Sequence, residues 1–150
     1  MATRLRMTRT PRGIRNNNPL NIRKGNNWQG ERHPQSDPAF EEFQSVEMGL
    51  RAGFIIIRNY IKARPPHDTL RKIITRWAPA NENNTAAYIK TVTEKSLVNP
   101  DERLKFTDKN KLCRIVTAMC FVECGQTISF GRIENAYEMA AHNYNPYSSK

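Results

Sequence analysis

The stretch that most constrains this chain is residues 107–125, TDKNKLCRIVTAMCFVECG. Leu112, Ile115, Val116, Met119 and Cys120 recur at steps of three and four, so a helix there has one apolar face. Thr107 or Asp108 is placed to cap its start, and Gly125 to end it in a left-handed turn. One further step of four from Met119 lands on Glu123. A carboxylate then stands where the pattern calls for a hydrophobe, in the last turn of the helix. Burial raises a carboxyl pKa, and the negative end of the helix dipole pushes the same way. A group so placed holds its proton closer to neutral pH and suits the work of a general acid. The plainer alternative puts Glu123 at the edge of the stripe, in solvent or paired with an arginine.

A chain of 150 residues, 38% of them hydrophobic, is sized for one domain with a real core. Its longest apolar run, GFIII at 53–57, is far short of the roughly 20 residues of a membrane span. The start, MATRLRMTRTPRG, is basic with no apolar stretch behind it, so it does not read as a secretory signal peptide. Cys113, Cys120 and Cys124 fall on one predicted helix. Their spacing suits neither a disulfide nor zinc, and they read as packing residues from a reducing compartment. His33, His67 and His142 lack ligand spacing, so no metal or cofactor is expected. The net charge of +10 fits an anionic partner: nucleic acid, a membrane surface or a cell-wall polymer.

Residues 1–13 contain Arg4, Arg6, Arg9 and Arg12 and no acid, and read as a mobile basic arm that offers a contact to nucleic acid. A single domain is expected over 14–142, with an unstructured tail at 143–150. Residues 14–44 are rich in Asn, Gly and Pro and read as a loop-rich lobe, with short extended segments at 20–23 and 40–43. Its amides and Trp28 are the groups that bind sugars, although Asn16, Asn17 and Asn18 equally suit turns and caps. Helices follow at about 45–63, capped by Ser45, at 69–77, capped by Asp68, at 85–93, and after the 107–125 helix a last one through Ile133, Ala136, Tyr137 and Ala140. Gly49 and Gly53 suit close helix packing, and Trp77 reads as core. The fold class is mainly α (α+β): a helical bundle with a small extended lobe near the N-terminus.

Three pieces, RGIRNNNPLNIRKGNNWQGE, FEEFQSVEMGLRAGFIIIRNYI and TRWAPANENNTAAYIKTV, resemble phage virion proteins labelled structural protein P5. The resemblance covers about residues 12–93. Asn17, Asn18 and Ile22, then Trp28 and Gly30, then Phe40, Phe43 and Ser45, are also similar to elements of lysozyme-like N-acetylglucosaminidases and lytic transglycosylases. In those families the catalytic Glu closes a helix that precedes the Asn-rich segment, and no Glu precedes Glu31 here. Either that helix is lost and the domain only binds, or it has moved to the C-terminal side by circular permutation. The ending AMCFVECG is similar to that of the catalytic helix, with Glu123 in the acid's position and Cys124 where Ser is usual.

The resemblance thus implies a lysozyme-like fold and cleavage of the β-1,4 glycan of bacterial peptidoglycan, with Glu123 as proton donor. Glu31 is the favoured second carboxylate, with one of Glu41 and Glu42 as the alternative, and Asn17, Asn18, Asn21, Trp28 and Tyr88 are the expected substrate-binding residues. A lytic transglycosylase needs no second acid. Two other readings stay open: a non-catalytic virion component of the same fold, binding glycan or other virion proteins, and a basic nucleic-acid-binding virion protein. The implied location is the virion, or the host cytoplasm before assembly.

Overall fold

The computed structural model describes residues 10–143. It is mainly α, with helices α1 Arg12–Arg15, α2 Val46–Lys62, α3 Leu70–Trp77, α4 Thr85–Ser96, α5 Lys109–Cys124 and α6 Phe130–His142. Local chemistry sets several of these boundaries. Ser45 starts α2 by accepting a hydrogen bond from the Met48 amide at 3.2 Å. Asn84 does the same for α4 through the Ala87 amide at 3.1 Å. At α3 the cap is Thr69, which takes the Lys72 amide at 3.1 Å, and not Asp68. Asp68 is buried and engaged elsewhere: its carboxylate lies 3.0 Å from Arg103 Nε. The fourth helix runs one turn past Thr93, to Leu97 in the left-handed region. Helix α5 ends as expected on Gly125, at φ 73°.

The apolar stripe of α5 forms the centre of the core: Leu112, Ile115, Val116, Met119 and Cys120 are all fully buried. Helix α5 packs on α4 and α6, α6 lies along α2, and α3 rests on α4. Each large side chain sealed in this way contributes about 1.5–3 kcal/mol. Phe54 meets the Tyr137 ring edge-on at 5.5 Å, and Phe106 stacks on Tyr137 at 5.1 Å. Cys113, Cys120 and Cys124 are free, buried thiols. No helix of the described residues is long and apolar enough to cross a membrane.

The lobe between α1 and α2 is extended without being a sheet. Its strand-like contacts are two isolated antiparallel bridges, Arg23 with Phe40 and Glu31 with Phe43. Buried polar groups hold it together. Asn18 accepts from the Ile22 amide at 2.9 Å and donates to the Ile22 and Glu41 carbonyls at 2.9 and 3.0 Å. Glu42 accepts from the Ser36 and Asp37 amides, both at 2.6 Å, and from Arg32 at 3.1 Å. Gly49 and Gly53 let this lobe, rather than another helix, lie against α2. A Cβ at either position would collide with the Asn17 carbonyl or the Leu20 side chain.

Of the arm expected over residues 1–13, Arg4, Arg6 and Arg9 lie outside the described residues, as do 144–150 of the expected tail. Arg12 and Gly13 belong to α1, and Arg12 pairs with Asp37 at 3.1 Å. Helix α1 therefore starts at Arg12, ahead of the expected boundary at residue 14.

Candidate active site

Glu123 is held at the end of α5 by three elements far apart in sequence. Asn21, in the lobe, donates its side-chain amide both to the Glu123 carbonyl at 3.0 Å and to Oε1 at 3.2 Å. Trp77, the last residue of α3, donates its indole N–H to Oε2 at 3.3 Å. The Tyr88 hydroxyl, from α4, donates to the same oxygen at 3.0 Å. Asn21 takes the left-handed conformation, at φ 54°, which asparagine tolerates better than most residues. Gly13 makes room for this junction: a Cβ there would stand 3.2 Å from Cys124 Cβ and 2.9 Å from the Asn18 carbonyl.

The carboxyl is half-buried, and no lysine or arginine lies within ion-pair distance of it among the described residues. Burial pushes its pKa above the usual glutamate range. The hydrogen bonds from Asn21, Tyr88 and Trp77 and the charge of Arg23 pull down but do not cancel that rise. The C-terminal end of α5 adds to the upward push. Oε2 already receives two donors and Oε1 only one, so Oε1 is the oxygen with room for a proton. Burial, then the neighbouring carboxylate charge, keeps the Tyr88 phenol protonated and hence a permanent donor.

Three concavities meet at this carboxyl. The first, about 420 Å³, is lined by Asn21, Arg23, Phe40, Tyr60, Trp77, Glu82, Asn83 and Glu123, among others. The second, about 350 Å³, lies past Asn83 along Tyr88, Thr91 and Val122. The third, about 310 Å³, continues past Asn21 and Phe40 to Arg12, Gly13 and Cys124. Glu123 borders all three, and Asn83, Asn21 and Phe40 are shared walls. The result is a polar groove open on both sides of one carboxyl whose pKa is raised.

No family model matches the chain. Over 132 residues it is 36% identical to Protein P5 of Pseudoalteromonas phage PM2, a match that covers 85% of this chain and 80% of that protein. The chain belongs to the Protein P5 family. The P5 relative is a phage protein, and its name states no activity.

In this P5-family chain the residues singled out from sequence divide sharply. Glu123, Asn21 and Tyr88 come together as one hydrogen-bonded group. Glu31 does not join them. Its Oε2 accepts from the Trp28 amide at 2.7 Å, closing a turn, and it lines a separate hollow with Lys24, His33, Gln35 and Glu41. The carboxylate that does share the groove with Glu123 is Glu82, in the turn before α4. Asn17 and Asn18 are struts: Asn17 donates to the Phe43 carbonyl at 3.0 Å, and the Asn18 amide is wholly engaged within the lobe. Trp28 packs against the core and does not line the groove.

Trp77, Arg23, Glu82 and Asn83 were not anticipated as site residues. One signal did point to Trp77, because an indole N–H near a core needs an acceptor. Nothing local marks the other three.

Proposed function

We propose that this P5-family protein is a phage-associated glycosidase that cleaves the β-1,4 glycan backbone of bacterial peptidoglycan, with Glu123 as general acid. The observation that carries the reading is the Glu123 carboxyl itself. It is half-buried, lacks a cationic partner at ion-pair distance among the described residues, is shifted toward the protonated form, and faces a groove that extends on both sides. A groove open in two directions suits a polymer bound across the bond to be broken.

In this reading Glu123 Oε1 gives its proton to the glycosidic oxygen as the bond to the anomeric carbon breaks. Asn21, Trp77 and Tyr88 then hold the carboxylate that remains. The oxocarbenium-like centre is captured by water or by the sugar's own 6-hydroxyl, and the attacking oxygen returns its proton to Glu123. Glu82 is the groove carboxylate available to orient a water. A lytic transglycosylase would leave 1,6-anhydro ends and work without it.

Adjacency of the α5 terminus to the Asn-rich lobe supports a permuted lysozyme-like fold, with the acid's helix now on the C-terminal side. A second reading, glycan binding without cleavage by a virion component, draws support from the three donors, which also suit a permanently charged Glu123.

The experiment is release of soluble muropeptides from purified sacculi. Wild type should release them, and Glu123→Gln should release at least about 10³-fold fewer with an unchanged fold. Sacculi left intact by the wild type, or digested as well by Glu123→Gln, would overturn the glycosidase reading. Binding to sacculi without release would favour the second one.

A further inference from the structure

The groove wall carries a cation that no carboxylate of the described residues occupies. Two guanidiniums lie over the Phe40 ring, Arg12 at 5.0 Å and Arg23 at 4.7 Å from its centroid. Arg12 is also paired with Asp37 at 3.1 Å. Arg23 takes part in none of the ion pairs found among the described residues. Its backbone is tied to Phe40 by an antiparallel bridge, and it lines the same groove as Asn21 and Glu123. A guanidinium packed on a ring has little freedom left to lose, and its planar fork of donors matches a carboxylate. The same packing covers part of Phe40, which makes that ring a support for the cation more than a platform for a sugar face.

We propose that Arg23 is a specificity residue that binds a carboxylate carried by the glycan, next to the bond that Glu123 protonates. The inference rests on the glycosidase reading for its consequence, but not for the binding itself. A carboxylate on Arg23 does two things at once: it anchors the glycan, and it cancels a positive charge that otherwise opposes protonation of Glu123. A neutral glycan does neither. Two sources supply such a carboxylate in a bacterial wall: the ether-linked lactyl acid of a muramic sugar that carries no peptide, and the free carboxylates of the peptide where one is joined to that acid through an amide.

Calorimetric titration of the full chain separates these cases with four probes. They are the β-1,4 disaccharide of N-acetylglucosamine and N-acetylmuramic acid, its methyl ester, the same disaccharide carrying a dipeptide that ends in a free carboxylate, and the neutral N-acetylglucosamine disaccharide. At least one carboxylate-bearing probe should bind the wild type roughly 10- to 100-fold tighter than the ester and the neutral disaccharide. Which of the two does so identifies the source. Arg23→Gln should reduce that probe to the level of the ester without changing affinity for the ester, and Arg23→Lys should fall between. Arg23 is exposed, so the variants should melt with the wild type. Equal affinity for acids and ester in the wild type, or equal weakening of all probes in Arg23→Gln, overturns the proposal. Parallel sacculus digestion keeps the two claims apart. Acid preference without release keeps Arg23 as a receptor and removes the glycosidase, and release without acid preference does the reverse.

Discussion

Asp37 and Glu42 in the lobe and Glu123 at the end of α5 are all carboxylates withdrawn from water, yet the protein treats them in opposite ways. Asp37 accepts the Ala39 and Phe40 amides at 2.9 and 3.0 Å and the Asn16 amide at 3.0 Å, with Arg12 alongside, and these hold its pKa down to about 2. At Glu42 burial pushes up, but the Asp37 and Ser36 amides and Arg32 outweigh it and the pKa falls. Among the described residues Glu123 receives neutral side-chain donors only, no backbone amide and no ion-pair partner, and its pKa rises. Burial raises the pKa at all three; whether the donors and charges beside the carboxyl outweigh it sets the direction of the shift. Backbone amides and a guanidinium make an anion permanent, and those two carboxylates stitch the lobe. Neutral donors orient Glu123 without committing it to its charge.

The largest effect that bears on this contrast is on stability. Glu42→Ala orphans two buried backbone amides and Arg32, and should cost about 3–5 kcal/mol in urea unfolding. Glu123→Gln should lose no more than about 1 kcal/mol at neutral pH, because it removes a carboxyl that is unfavourable to ionise where it sits. If both variants lose several kcal/mol, Glu123 is one more structural anion.

Acid unfolding sharpens the same point more gently. Asp37 has a folded pKa below its unfolded value, so its contribution is present above pH 4 and disappears as pH falls toward 2. That contribution is about 1–2 kcal/mol after screening, and Asp37→Asn should flatten the loss in this window. Glu123 has the opposite sign: its pKa is raised, so any contribution it makes is complete at low pH and is lost as pH rises through its ionisation.

The smallest effect is on the donors. Trp77→Phe or Tyr88→Phe removes a hydrogen bond that favours the charged form, so the Glu123 pKa should rise further. The alkaline limb of kcat/KM should then move to higher pH, with less than about a tenfold loss at the optimum. A limb that moves to lower pH would mean that the ionised carboxylate is the working form.

What could be read in advance follows from the range over which each feature acts. The stripe of α5, the Glu123 that interrupts it and the terminus at Gly125 follow one another at steps of no more than four residues, and the sequence carried them intact. The choice of Thr69 over Asp68 as a cap was not legible, since both residues cap helices well and Arg103 decides the matter from 35 positions away. The asparagines of the lobe offered the same ambiguity. Asn18 and Asn21 look alike in sequence, but one is sealed inside the lobe and the other reaches a helix 102 positions downstream. The structure sets Glu31 in a separate hollow, where its carboxylate closes a turn on the Trp28 amide. Glu82 and Arg23 became groove residues only through the packing of distant segments.

Glu123 differs from Asp37 and Glu42 in the direction of its shift, and a titration that resolves each side-chain carboxyl by carbon-13 NMR measures that directly. Asp37 should titrate near pH 2 and Glu42 below the ordinary glutamate value of 4.5, with Glu123 above it. A Glu123 carboxyl that titrates at or below 4.5, alongside Glu42, would contradict the account and leave the end of α5 as a structural contact.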